Sequence, residues 1–138
     1  MPSCLRLPFV WMPAAALCLA LVAPAHAATP AELLEAYTAK AGVQADPAAG
    51  QRLFNTNFNR DLGLKCSSCH GAVPTKSGRD EVTEKSIAPL APLANPKRFT
   101  DAAKVDNWFG VNCRDVVGRI CTNAEKANVL SWLLTLTP

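Results

Sequence analysis

The chain has 138 residues, with 14 Lys and Arg against 11 Asp and Glu, and a formal net charge of +3. That length suits one modest domain. The small net charge excludes the strong positive field with which proteins bind nucleic acid or an anionic membrane surface, so we expect neither as a partner.

The N-terminus has the pattern of a secretory signal peptide. Arg6 is its only charged residue, an apolar run covers residues 9–22, and residues 25–27 (Ala-His-Ala) offer the small residues that signal peptidase requires. The uncharged stretch is nearly long enough to span a bilayer, so an uncleaved membrane anchor is the alternative. The prolines within it favour cleavage. We predict a signal peptide at residues 1–27, a domain at residues 28–138 and export to the periplasm.

Two helices are predicted at the start of this domain. Thr29 and Glu32 form a capping box around Pro30, and Gly42 would end the first helix. The second helix would begin at Asp46, just before a proline. The apolar residues expected to face the core from these helices are Leu33, Leu34, Tyr37, Leu53 and Phe54.

A long connection with four prolines follows at residues 72–98. Unstructured connections of this length are uncommon in a compact domain unless they cover something. Its apolar inner side is predicted to consist of Ile87, Leu90 and Leu93.

Two more helices are predicted after the connection. One runs from about Thr100 to Gly110, and the other begins at a second capping box formed by Thr122 and Glu125. Their inward-facing residues are predicted to be Val105, Trp108, Phe109, Val129, Leu130, Leu133, Leu134 and Leu136. Since no alternating strand pattern appears, we expect an all-α fold of about four to five short helices.

The chemistry of the chain is concentrated in Cys66, Cys69 and His70, which form a Cys-x-x-Cys-His motif. This pattern attaches haem c: the two thiols add to the vinyl groups of haem, and the adjacent imidazole binds the iron. We therefore predict one covalent haem c, held by Cys66 and Cys69, with His70 as the proximal iron ligand.

Three other interpretations of the cysteines are weaker. A thioredoxin-like redox pair needs a βαβ context that the sequence does not show. A zinc site of four cysteines is disfavoured because Cys113 and Cys121 are spaced unlike an ordinary zinc knuckle. A disulfide between Cys66 and Cys69 would be strained by its short loop.

The sixth ligand of the iron is not one that electron carriers usually use. Without residues 1–27, the domain contains no methionine and no histidine other than His70, whereas low-spin carriers usually employ Met or a second His. Lysine amines, the Tyr37 phenol, amide oxygens, the new N-terminus, water or an open position remain. The sixth position is therefore weakly held or open.

A haem in a domain of this size would form much of the core. The residues predicted to contact it are Trp108, Ile87 and Leu90, with Phe109 and Trp132 as further aromatic candidates. Ordinary core packing is the alternative role for each aromatic residue.

Segments across the domain carry a more specific pattern. They are Ile87–Pro92, Arg98–Asp101, Trp108, Gly110, Asn112-Cys113, Gly118-Arg119, Cys121-Thr122 and Glu125-Lys126. Together they resemble the sphaeroides haem protein family, high-spin cytochromes c with a variant class I cytochrome c fold. The resemblance implies that Asn112 is the distal ligand of ferric iron and that Cys113 and Cys121 form a disulfide. It also implies a dihaem cytochrome c as the electron donor.

The predicted helix end at Gly110 would let the backbone reverse before Asn112 and direct its side chain at a bound group. The alternative is that Asn112 is an ordinary cap or turn residue. The implied bridge beside it would restrict the movement of this segment.

An amide oxygen suits ferric iron better than ferrous iron. We therefore expect reduction to release Asn112 and to open the site to O2 or NO, in a cytochrome that also transfers electrons. One alternative is an enzyme that consumes NO with O2 or reduces peroxide, for which Arg114 or Arg119 are the distal candidates. The other is a plain electron carrier. We favour a non-enzymatic role.

Overall fold

The computed structural model describes residues 27–58 and 63–138. Its helices are α1 (Pro30–Ala41), α2 (Pro47–Asn55), α3 (Cys66–His70), α4 (Ala102–Val117) and α5 (Asn123–Thr135), and one sheet contains β1 (Gly78–Arg79) and β2 (Ser86–Ile87). The predicted helical fold is confirmed. The predicted signal peptide falls outside the described residues except for its last position. In the two described ranges, no helix combines the length and apolarity needed to cross a membrane.

The first two helices begin and end where their capping residues predict. Thr29 Oγ1 accepts a hydrogen bond from the Glu32 N–H at 3.2 Å, and the Glu32 carboxylate accepts one from the Thr29 N–H at 2.7 Å. Gly42 ends α1 in the left-handed region, with φ 68°. Asp46 caps α2 by accepting a hydrogen bond from the Ala48 N–H at 2.8 Å.

One apolar core joins α1, α2 and α5. Its buried members are Leu33, Tyr37, Phe54, Phe99, Ala127, Val129, Leu130, Trp132 and Leu133. The other residues predicted to face inward from these three helices pack against it partly buried, namely Leu34, Leu53, Leu134 and Leu136. The 3.6-residue periodicity therefore located the buried face of each of these helices correctly.

Helices α2 and α5 touch through their backbones at Gly50. A Cβ atom at this position would overlap the carbonyl oxygen of Asn128 on α5. The Asn128 side chain also accepts a hydrogen bond from the Asp46 N–H at 2.7 Å, which joins the start of α2 to α5. The absence of a side chain at Gly50 therefore sets how closely the two helices cross.

The start of α5 is held by a bidentate ion pair within its capping box. Thr122 Oγ1 accepts from the Glu125 N–H at 3.2 Å, and Glu125 accepts from the Thr122 N–H at 2.8 Å. The two guanidinium N–H groups of Arg119 donate to the same carboxylate at 2.7 and 2.8 Å. Hydrogen bonds from Arg119 and then Thr122 lower the pKa of Glu125 to about 2.

Helix α4 differs from the prediction at its C-terminal end. It does not stop at Gly110 but continues to Val117 and ends at Gly118, whose φ is 79°. A glycine inside a helix costs about 1 kcal/mol relative to alanine, which favourable contacts beyond it outweigh. Cys113 supplies such contacts, because it is buried and bridged to Cys121. Asn112 therefore lies within the helix and not after a chain reversal.

The connection before α4 is more ordered than predicted. It contains an antiparallel hairpin in which Gly78 pairs with Ile87, and strands of two residues are too short to produce an alternating pattern. Ile87 is half-buried, and Leu90 packs against the core as predicted. Leu93 is 58% exposed, whereas Ala91 is buried in the protein itself. The inward position of Leu93, towards a bound haem, stays a prediction.

We expect Gly50→Ala to lower the free energy of unfolding by about 2–3 kcal/mol, because the new methyl group forces α2 and α5 apart. The matched control is Gly110→Ala, where a Cβ atom meets no other atom within 4 Å. That variant should be neutral or stabilised by up to about 1 kcal/mol. Thermal and urea unfolding of the holoproteins measure both values; equal effects would contradict the backbone contact at Gly50.

A second prediction concerns acid stability. Because the pKa of Glu125 is lowered in the folded state, its carboxylate stabilises the fold above pH 4.5, and this contribution is lost as the pH falls towards about 2. At pH 7, Glu125→Gln should cost about 1–2 kcal/mol, and the difference from the wild type should shrink over that interval. Urea unfolding of both proteins at several pH values measures this difference in the free energy of unfolding.

The control for the acid-stability series is Glu84→Gln, which removes an ion pair between Arg79 and Glu84 whose side chains are both well exposed. It should cost less than about 1 kcal/mol at every pH. A cost of Glu125→Gln that stays constant from neutral to acid pH would show that the ionised carboxylate is not the stabilising group.

Candidate haem site

The motif residues lie on α3, a short helix with all three side chains half-buried. The Lys65 N–H donates to Ser68 Oγ at 3.2 Å at the start of this helix. The Cys66 and Cys69 thiols are both free and do not bridge one another. The structure therefore contradicts the alternative of a disulfide within the motif and leaves both thiols available for covalent attachment.

Cys113 and Cys121 form the disulfide that the family resemblance implied, with Cα atoms 5.7 Å apart. It joins the C-terminal part of α4 to the segment just before α5. Because two of the four cysteines are used in this way, the four-cysteine zinc site is also contradicted. Across residues 27–58 and 63–138, no cluster of three or more His, Cys, Asp or Glu side chains could hold a metal ion.

The Cys66 thiol lies in apolar surroundings. It packs against the main core together with Leu90, Val105 and Phe109. Burial raises the pKa of this thiol to about 11, so the uncharged form is favoured. An apolar, unpaired thiol in this position fits attachment to the edge of a large apolar cofactor.

The imidazole of His70 rests against the core of the helical bundle. Its ring centroid lies 6.1 Å from that of Phe54, and the Phe54 ring lies 5.0 Å from that of Trp132 on α5. Burial, and then the neighbouring positive charge of Arg98, lower the pKa of His70. The neutral imidazole that binds a metal is therefore the favoured form.

The hairpin brings Ile87 to the motif helix. A Cβ atom at Gly78 would overlap the carbonyl oxygen of Cys69, so β1 lies directly against the end of α3. Because Gly78 pairs with Ile87, β2 also lies near the end of α3. The sequence analysis did not predict this contact between β1 and α3. An isolated glycine such as Gly78 is a signal that could have indicated it, because glycine in a strand often marks a close backbone approach.

Leu90 reaches the same region through the buried Pro74. The Pro74 carbonyl accepts hydrogen bonds from the N–H groups of Leu90 and Ala91 at 3.1 and 3.0 Å. Pro74 lies four residues after His70, so these bonds fold the proline-rich segment back onto the chain that leaves the motif. Two residues predicted to contact the haem, Ile87 and Leu90, are thus both placed beside the motif.

Arg98 fixes the proline-rich segment at residues 88 and 89, and the sequence analysis did not predict this role. Its Nη2 donates to the Ala88 carbonyl at 2.7 Å, and its Nε donates to the Pro89 carbonyl at 3.0 Å. The guanidinium is near enough to His70 to affect its protonation. Arg98 therefore fixes the segment and contributes a positive charge to the histidine side of the site.

Asn112 occupies an exposed position on α4, one residue before the bridged Cys113. In the described part of the chain, no side chain or backbone group is hydrogen-bonded to its amide. Trp108 lies one turn earlier on the same face of the helix and is 53% exposed, so it is not part of the protein core. The other predicted core residues of α4, Val105 and Phe109, pack inward as expected.

The donor set fits a haem. Two free thiols on one short helix suit attachment to the two vinyl groups, and a half-buried imidazole that favours its neutral form suits an axial iron ligand. Asn112 adds an amide oxygen that accepts no hydrogen bond from the described residues. The residues that would hold haem c are therefore Cys66, Cys69 and His70, and haem would supply a redox-active iron that can bind a further, weak ligand.

Comparisons with known proteins agree with this chemistry. A family described as a domain of unknown function, DUF1924, matches residues 40–133. The cytochrome c-type protein SHP of Cereibacter sphaeroides is 47% identical over 110 residues, which cover 76% of this chain and 82% of the relative. Cytochrome c'' of Methylophilus methylotrophus is 44% identical over 90 residues, which cover 64% of this chain and 62% of the relative.

Solved structures of the same two proteins share the fold. Oxidised SHP, described as an oxygen-binding cytochrome c, has a TM-score of 0.69 at 48% identity and covers 76% of this chain and 95% of its own. Oxidised cytochrome c'' has a TM-score of 0.73 at 38% identity, with coverages of 79% and 95%. A solution structure of cytochrome c'', described in terms of haem-ligand detachment, has a TM-score of 0.70.

Sequence identity near one half extends over most of both chains in the SHP comparison, and the helical fold is the same. Both relatives are c-type cytochromes. The chain therefore belongs to the family of the sphaeroides haem protein and cytochrome c'', and it is a helical c-type cytochrome with one covalently bound haem c.

Proposed function

We propose that this protein is an exported cytochrome that transfers electrons and that binds a small diatomic gas, O2 or NO, at a distal position opened by reduction. The observation that carries the proposal is the set of available ligands. Residues 28–138 contain a single histidine and no methionine. A second strong ligand of the kind that closes the iron in ordinary electron carriers is therefore absent from this domain.

On the proximal side, Cys66 and Cys69 would form the two thioether bonds and His70 would bind the iron. Phe54 supports the imidazole from the core, and Gly78 lets β1 pack against the end of α3. These contacts keep the histidine in one orientation. Ile87 and Leu90, which the hairpin and Pro74 bring to this helix, are proposed to cover the cofactor.

On the distal side, Asn112 would bind ferric iron through its amide oxygen. This oxygen is a hard, neutral donor, which suits ferric iron better than the softer ferrous ion. Asn112 would therefore leave when the protein is reduced and return when it is oxidised. Two observations support this role: none of residues 27–58 and 63–138 forms a competing hydrogen bond with the amide, and the next residue is fixed by the disulfide. Trp108, one turn away, is proposed to contact the haem.

The relatives support the same behaviour. SHP is described as an oxygen-binding cytochrome c, and the solution structure of cytochrome c'' is described in terms of haem-ligand detachment. A weak distal ligand that detaches and an open position that binds gas are two parts of one redox-gated site. We propose that this chain combines them through Asn112.

The proposed electron donor is a dihaem or other c-type cytochrome, located with this protein in the periplasm. The leader pattern at residues 1–27 is the support for export, and the small net charge gives no reason to expect nucleic acid as a partner. Contact with a membrane would arise only if the leader were retained.

An enzymatic role has less support from the distal side chains. Cleavage of a peroxide bond needs a mobile or free acid–base group near the iron. Arg119, one of the two candidates, is engaged in its bidentate pair with Glu125. Arg114, exposed on α4, is the remaining candidate. With one of its two candidates engaged, the enzymatic role is the weaker alternative, and we propose gas binding without turnover.

Replacement of Asn112 tests the gating directly. In Asn112→Val, cyanide should bind the ferric holoprotein at least about tenfold faster than in the wild type, which corresponds to a lost interaction of about 1.4 kcal/mol. Binding of CO to the ferrous holoprotein should be unchanged, because Asn112 has already left. Stopped-flow absorption measures both rates, and the ferric EPR spectrum should change.

The matched control is Asn107→Val, which removes an exposed asparagine from the same helix. Its rates should equal those of the wild type. The proposal is overturned if Asn112→Val leaves both the ferric spectrum and the ferric cyanide rate unaltered.

A second measurement separates binding from catalysis. The reduced holoprotein, mixed with NO and O2 and supplied with excess electron donor, should take up about one NO per haem and then stop. Nitrate analysis of the mixture measures the yield. Nitrate that accumulates over many turnovers would overturn the non-enzymatic proposal and assign the protein as an NO-consuming enzyme.

A further inference from the structure

Helix α4 is fixed to the rest of the protein on both sides of Asn112. On one side is the disulfide from Cys113 to Cys121. On the other side is a group of four residues from three helices, Tyr37, Asp106, Phe109 and Lys126, which we call the Tyr37 cluster. Phe109 lies three residues before Asn112, so the cluster and the disulfide bracket the proposed ligand.

Two donors from different helices converge on one carboxylate oxygen of α4. The Tyr37 hydroxyl, on α1, donates to Asp106 Oδ1 at 2.8 Å. The Lys126 ammonium, on α5, donates to the same oxygen at 2.7 Å. Burial, followed by the interaction with Asp106, raises the pKa of Tyr37 well above its usual range, so the phenol remains a donor.

Aromatic contacts fix the same position along α4. The Tyr37 and Phe109 rings meet edge to face, with centroids 6.0 Å apart. The Lys126 Nζ lies 5.2 Å from the Tyr37 centroid and 5.9 Å from the Phe109 centroid, within reach of both ring faces. The Lys126 side chain is only 12% exposed, so these partners take the place of water around its ammonium group.

The cluster matters for α4 because, within the part of the chain that the structure describes, this helix has no close backbone crossing of the kind that Gly50 provides between α2 and α5. Side chains hold α4 in place. Its position, and with it the position of Asn112, therefore responds to changes in a few directional contacts. A helix held in this way can shift slightly without disrupting the core.

We propose that Tyr37, Asp106 and Lys126 are positioning residues for the distal ligand, which hold α4 so that Asn112 binds ferric iron and returns to it after each reduction. This inference rests on the proposed ligation by Asn112. Loss of a contact in the cluster would increase the fraction of time that Asn112 spends away from ferric iron. An added ligand would then enter the ferric protein faster, whereas the ferrous protein would not change.

The most conservative test is Tyr37→Phe, which keeps the ring and its contact with Phe109 but removes the hydrogen bond to Asp106. Cyanide should bind the ferric holoprotein about fivefold faster, the factor expected from loss of one hydrogen bond. Lys126→Met should have a larger effect in the same direction. CO binding to the ferrous holoprotein should equal that of the wild type in both variants.

The matched control is Thr38→Val on the same helix. The Thr38 hydroxyl donates to the Leu34 carbonyl within α1 and has no contact with α4 in its hydrogen bonding. Its removal should leave the ferric cyanide rate unchanged. Thermal unfolding of each holoprotein checks that the variants are folded, and Tyr37→Phe keeps the test valid if Lys126→Met does not fold.

The double variant Tyr37→Phe with Asn112→Val tests whether the cluster changes the rate of cyanide binding through Asn112. If the cluster acts by positioning Asn112, Tyr37→Phe should have no further effect once Asn112 is absent. An equal acceleration in both backgrounds would overturn the positioning role. If Asn112→Val alone accelerates cyanide binding but neither cluster variant does, only this inference fails. If Asn112→Val has no effect, the proposed function fails.

Discussion

The backbone contact between α2 and α5 at Gly50 is the constraint on which the proximal half of the site depends. With no side chain at Gly50, α2 lies against the Asn128 carbonyl, and Phe54, one turn later, packs against Trp132 with ring centroids 5.0 Å apart. The same phenyl ring supports His70. The position of the imidazole is therefore set by the rigid core, because close-packed interiors resist small displacements.

The distal half is built on a different principle. Helix α4 is joined to its neighbours by a disulfide, by two hydrogen bonds to Asp106 and by the edge-to-face contact of Tyr37 with Phe109. Such contacts are directional and few, so their loss moves a helix without unfolding the domain. Under the proposed ligation, a firmly held imidazole and a more adjustable amide would give the asymmetry that a redox-gated ligand site requires, since only one of the two ligands must leave.

Local chemistry accounts for what could be predicted of the fold. The caps at Thr29, Asp46 and Thr122 each depend on residues within a few positions, so their patterns are readable in the sequence. The predicted C-terminal end of α4 was wrong because local criteria accept both Gly110 and Gly118 as residues that end a helix. The bridged Cys113 lies between them and carries the helix past the first glycine to the second.

The sequence by itself determined that the protein carries haem c and that residues 28–138 contain neither a methionine nor a second histidine, because motif spacing and residue counts do not depend on the fold. Only the tertiary structure decided that Asn112 lies inside α4, that Gly78 meets the end of α3, and that α4 is joined to α1 and α5. Tyr37 and Asp106 are 69 positions apart, and Asp106 and Lys126 are 20 apart. No local periodicity encodes such contacts, since they form only when separate helices pack together.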